Sequence, residues 1–164
     1  MALDYSSDAV TNRRTRPPAT PHSAGEVYVC PFDVTLDDAV AANDLIGLAP
    51  LPPYCVPVTI ELMATDLDSG TAMLIDVGIL NDDEDDLVAT SNLIDGSDVC
   101  QAGGTARSDD YEGAYEPATW LAESDCPAEH EEKIVAAKVM TAATTAVAGA
   151  IRGSLLYRAA HNGI

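Results

Sequence analysis

The stretch Ala72-Met73-Leu74-Ile75-Asp76-Val77-Gly78-Ile79 decides the fold class. Met73, Ile75, Val77 and Ile79 fall on one side of an extended chain, and Ala72, Leu74, Asp76 and Gly78 on the other. That is the period of two expected of a strand with two unlike faces. Upstream, Val58, Ile60 and Leu62 alternate with Thr59, Glu61 and Met63 in the same way. The intervening Asp66-Leu67-Asp68-Ser69-Gly70 is turn chemistry, so the two runs predict a hairpin between 57–65 and 73–79.

The same reading extends in both directions. Val27-Tyr28-Val29-Cys30 predicts a strand that stops at Pro31, and Leu45-Ile46-Gly47-Leu48 one that stops in Pro50-Leu51-Pro52-Pro53. Leu87–Thr90 and Asn92–Ile94 read as a short helical or extended return. Tyr115 to Ala122, with Trp120, reads as a further strand. The alanine-rich stretch from Lys133 to Ala150 favours a helix by propensity. Against that, Val135, Ala137 and Val139 alternate with Ile134, Ala136, Lys138 and Met140, and Ile151, Gly153, Leu155 and Tyr157 alternate with Arg152, Ser154, Leu156 and Arg158. These segments predict two strands joined around 141–149. Roughly eight short strands punctuated by turns indicate an all-β chain, a β-sandwich or jelly roll.

Composition bounds what this chain can do. Its 164 residues suit one domain. Leu, Ile, Val and Phe make up 36 of them, enough for a core, and 26 Ala make that core small-grained. No run of about 18 apolar residues is present, so no membrane-spanning helix is expected. The N-terminus lacks the basic and apolar regions of a signal peptide, which points to folding in a cytoplasm. The formal charge is −19. Such a surface repels phosphate backbones, which excludes nucleic acid as a partner of the body.

The charge is unevenly placed. Residues 1–25 carry Arg13, Arg14 and Arg16 against Asp4 and Asp8, a net +1; residues 26–164 carry 5 basic and 25 acidic groups, a net −20. Arg16-Pro17-Pro18-Ala19-Thr20-Pro21 has no apolar periodicity and favours extended backbone. Residues 1–25 are therefore expected to be an extended arm on a body at 26–164. The arm is expected to be disordered when free, dispensable for folding, and to dock on the surface it is assembled on or on the acidic surface of an adjacent copy through Arg13, Arg14, Arg16, Pro17 and Pro18.

No constellation for catalysis stands out, and no enzyme activity or cofactor is expected. Gly103-Gly104 is an isolated pair with no phosphate-loop Lys behind it, and no Gly-x-Ser-x-Gly elbow occurs. His130 sits among acids in Cys126-Pro127-Ala128-Glu129-His130-Glu131-Glu132 and reads as a surface histidine. Asp66-x-Asp68-x-Gly70 and Asp82–Asp86 supply oxygens, but neither fits a twelve-residue calcium loop. They read as a capped turn and a solvated loop tip. Cys30, Cys55, Cys100 and Cys126 have no metal-site spacing and read as four separate small hydrophobes.

The order of features from residue 26 resembles that of small head proteins of tailed phages. The resemblance rests on a Leu-Pro turn at Leu51-Pro52, a β-branched strand at Val58–Leu62 and the strand Leu74-Ile75-Asp76-Val77-Gly78. It continues through the acidic loop Asp82–Asp86, the Asp95-Gly96 turn and a closing strand ending in Leu155-Leu156-Tyr157. It implies a jelly-roll cement or decoration protein that forms a homotrimer and binds the phage major capsid protein on the virion surface. The other class kept open is a tail- or neck-associated adsorption module binding host glycan, for which Tyr111, Tyr115 and Trp120 are the candidate aromatic cluster.

Overall fold

A computed structural model describes residues 3–20, 26–37, 40–108 and 121–160. The aromatic cluster Tyr111, Tyr115 and Trp120, and with it most of the strand expected at 115–122, lies outside them. The strands are β1 (Tyr5–Ser6), β2 (Val27–Leu36), β3 (Leu45–Leu51), β4 (Cys55–Ala64), β5 (Leu74–Ile79), β6 (Ile94–Ser97), β7 (Gly104–Arg107), β8 (Lys133–Thr141) and β9 (Gly149–Ala159). Two single-turn helices, α1 (Asp8–Thr11) and α2 (Val99–Ala102), accompany them. The strands form one sheet in the order β1-β3-β8-β5-β6 and a second in the order β2-β9-β4-β7. The chain is an all-β sandwich, as the alternation indicated.

The core lies between the sheets. Ile75, Val77 and Ile79 of β5 face inward beside Val135, Ala137 and Val139 of β8, all buried. Opposite them the second sheet turns in Phe32, Val34 and Leu36 of β2, Ile60 and Leu62 of β4, and Ile151, Leu155 and Tyr157 of β9. Gly153 marks a close approach of neighbouring strands. A Cβ there would lie 2.1 Å from the Glu61 carbonyl oxygen and 2.7 Å from the Phe32 ring, so a bare backbone is required where β9 passes between β2 and β4.

The expected hairpin of 57–65 with 73–79 does not form. β4 belongs to the second sheet and β5 to the first, so residues 66–73 cross between sheets. The link from β8 to β9 crosses back, and Asp68 joins the two crossings. Its side chain is buried, and its two oxygens each accept two backbone N–H groups. Oδ1 takes Gly70 and Thr145, each at 2.9 Å; Oδ2 takes Ala72 at 3.0 Å and Met73 at 3.1 Å. These donors hold the carboxyl well below the usual carboxylate range, the Thr145 N–H contributing most.

The expected strand ends at Pro31 and Pro50 also fall differently, because both prolines lie within strands. β2 is an edge strand, where half the N–H groups face away from any partner, so Pro31 is tolerated. β3 is flanked by β1 only opposite Ile46 and Gly47, so at Pro50 it is an edge on that side.

Part of the N-terminal stretch is built into the body. Tyr5 and Ser6 pair in parallel with Ile46 and Gly47 of β3. Ser7 caps α1, its hydroxyl accepting the Val10 N–H at 3.1 Å and donating to the Leu48 carbonyl. Asp4 accepts the Leu45 N–H at 3.0 Å. The backbone and side-chain groups of this segment find their partners in β3, and it is ordered there rather than free.

Candidate functional site

The two outer faces of the sandwich differ in what covers them. The outer face of the first sheet is small in the middle, with Gly47, Gly78 and Ala136, and its own chain packs on it. Val10, Leu45, Leu80, Leu87, Ile134 and Ala136 form a second buried cluster with Leu3 against it. A Cβ at Gly47 would meet Leu3 at 2.7 Å, and one at Gly78 would meet the Ser91 hydroxyl at 2.8 Å. The small residues therefore make room for the N-terminal segment on one side and residues 87–93 on the other.

The acidic loop Asn81–Asp86 borders this covered face and is shaped from within. The Asn81 side chain accepts the N–H groups of Asp85 and Asp86 and donates to the Asp85 carboxylate at 2.9 Å. Lys138 on β8 pairs with Asp86 at 2.7 Å. Asp76, beside Lys138, has its carboxyl raised by burial, against the Gly96 N–H that donates to it at 2.7 Å. The calcium reading of Asp66–Gly70 meets a physical obstacle, since both Asp68 oxygens are committed to backbone donors.

The five residues expected to dock on a neighbour lie where the N-terminal segment leaves the first sheet. Arg13 is already engaged within its own chain: its Nε lies 2.9 Å from Glu132, and its Nη1 donates to the Val10 carbonyl at 2.8 Å. Lys133 supports that contact from beneath. Its ammonium, almost fully buried, donates to the carbonyls of Ala128 at 2.8 Å and Glu131 at 3.3 Å, fixing the turn that presents Glu132. Arg14, Arg16 and Pro17 are exposed and Pro18 is half-buried. Arg13 and Arg14 line a cleft of about 330 Å³ with Asn81, Asp82, Glu84 and Glu131. Farther on, the Ala19 carbonyl accepts the Tyr157 hydroxyl at 2.5 Å.

The outer face of the second sheet carries no such cover from the described residues. Val27, Val29 and Met63 are 51%, 58% and 52% exposed there, large values for apolar side chains in strands. Around them the register sets Arg152 across from Asp33 and Arg107 across from Glu61, paired at 2.7 and 3.3 Å. Arg158 stands across from Val27. A concavity of about 550 Å³ is lined by Glu61, Met63, Thr105, Arg107, Arg152 and Ser154. Composition did not single out this face. The available signal was that Val27-Tyr28-Val29-Cys30 is apolar on both sides of its alternation, so one apolar side had to face outward.

The four thiols are free and buried. Burial pushes Cys100 up to about 12, and Cys55 and Cys126 up to about 11, the last two held back by Lys133. Thiolate is the reactive form, so the native chain is expected to resist alkylation at about pH 8 and to label at all four positions once unfolded. Mass spectrometry after a timed alkylation pulse reads this out. Rapid labelling of any native thiol would show that its part of the sandwich opens.

No family model matches the chain, and no curated protein matches it. Solved structures do. A chain in the capsid of Ralstonia phage GP4 superposes with a TM-score of 0.70 at 33% identity, over 93% of this chain and 96% of that one. A chain of the capsid asymmetric unit of cyanophage Pam1 shares the fold, with a TM-score of 0.56 at 20% identity over 85% and 90% of the two chains. With a third of its residues identical over nearly the full length of both chains, the protein belongs to the phage capsid protein family represented in the GP4 capsid.

Proposed function

We propose that this chain is a cement or decoration protein that binds the outer surface of a phage head, contacts the major capsid protein and works as a homotrimer. The observation that carries the reading is the full-length match to a chain of a phage capsid. Charge supports the outer position. A head encloses DNA, and a chain of net charge −19 is repelled by packaged phosphate, whereas on the outside the same charge keeps particles apart. No catalytic step is assigned to it. The trimer rests on the family resemblance.

In this reading the exposed Arg14 and Arg16, beside Pro17 and Pro18, meet carboxylates of the shell or of an adjacent copy. Arg13 holds the segment in place through Glu132. Proline stiffness lowers the entropy lost on docking, and a tethered segment adds its contacts at high effective concentration.

The test is binding to purified heads that lack this protein. Saturable attachment that raises the temperature at which heads rupture is expected. Replacing Arg14 and Arg16 together by alanine is expected to weaken attachment several-fold at low salt, with a loss that shrinks at high salt, because exposed pairs are screened within about 10 Å at 0.1 M. Attachment to host cells and none to heads would overturn the reading in favour of a glycan-binding adsorption module.

A further inference from the structure

We propose that the outer face of the β2-β9-β4-β7 sheet is where a second copy of this chain docks. The inference rests on the oligomer reading above and assigns it a surface.

Three observations meet on this face. First, among the described residues nothing covers it while its counterpart is covered: Val27, Val29 and Met63 stand about half exposed, whereas the first sheet's outer face is packed under Leu3, Val10 and Leu87. Second, the basic groups are concentrated. Arg107, Arg152 and Arg158 are three of only 8 Lys and Arg in the chain, and all lie on this sheet. Against Asp33 and Glu61 they leave the face a net +1, so the rest of the chain carries −20 of the formal −19. Third, Arg107 and Arg152 are not explained by stability within one copy. Their cross-strand pairs are more than half exposed, where such pairs contribute little.

These facts select the occupant. Two bodies of charge −19 repel at every approach that sets acid against acid. The sheet face is where a copy presents a positive balance together with apolar side chains. In a cyclic trimer each contact is heterologous, so this face meets a different surface of the next copy, and that surface is acidic. Three strands of about ten residues and a fourth, β7, of four, about 4.8 Å apart, outline some 500 Å². That is the same order as the roughly 800 Å² each partner buries in a stable complex. The arginine forks would then trade exposed partners for desolvated ones on the neighbour.

The experiment is sedimentation equilibrium of the full chain at low salt, comparing wild type with Val29→Glu and Arg152→Glu. Both sites are exposed, so the melting curves should stay close to wild type. Wild type is expected to associate, and each variant to associate at least about tenfold more weakly. Equal association of all three would overturn the proposal while leaving the oligomer reading intact, because the copies would then meet elsewhere. A wild type that is monomeric throughout would overturn both. Loss of head binding by the same two variants in that case would give the face to the shell instead.

Discussion

Asp68→Ala is expected to lower the melting temperature by more than about 10 °C. One carboxylate there holds four backbone donors, from Gly70, Ala72, Met73 and Thr145, at the place where both crossings between the sheets meet. Asparagine should not rescue it. Each oxygen takes two N–H groups, so either orientation of the amide turns its own N–H groups against two of them. The charge carries a pH signature of the expected sign. The folded carboxyl is held below its ordinary value, so its contribution is complete above the unfolded value of about 4 and drains away as the pH falls. Wild type should therefore lose stability on acidification below about pH 4 more steeply than Asp68→Asn does. Thermal melts of both proteins across that range check this, and parallel curves would show that Asp68 is not the linked group.

The same residue shows why strands were legible here and their partners were not. Alternation at 60–62, 73–79 and 151–157 reports which residues turn inward, and those residues do turn inward, whereas Val58 falls at the bulge between Pro57 and Thr59 and is only half-buried. It says nothing about which sheet a strand joins. Asp66-Leu67-Asp68-Ser69-Gly70 has the composition of a hairpin turn, yet Asp68 collects donors from a segment 77 residues away and makes a crossing instead. The prolines misled for a related reason. Pro31 and Pro50 break strands only where an N–H is needed, and edge positions cannot be recognised before the sheet order is known. Of the candidate surfaces, Arg13, Arg14 and Arg16 were visible because they cluster in sequence. Arg107, Arg152 and Arg158 come together only through the pairing of β7, β4 and β9.

Removing residues 1–12 should unsettle the body, contrary to what a disordered and dispensable arm would do. The segment supplies β1, the Ser7 cap and α1, and it buries Val10 to 1% exposure over Leu45, Ile134 and Ala136. Full burial of a valine is worth about 1.5–3 kcal/mol, to which Leu3 adds part of a second side chain. Removal of the segment also exposes Leu45 and Ile134, so the truncated chain is expected to melt several degrees below wild type. The truncated chain keeps Arg13, Arg14 and Arg16, so the experiment separates two roles that the sequence merges. If the first twelve residues are a cover for the sheet and the arginines a docking element, truncation should lower stability, with head attachment reduced only as the fold is lost. The double alanine variant at 14 and 16 should do the reverse, weakening attachment at unchanged melting temperature. A truncated chain as stable as wild type would mean that the first sheet does not depend on its cover.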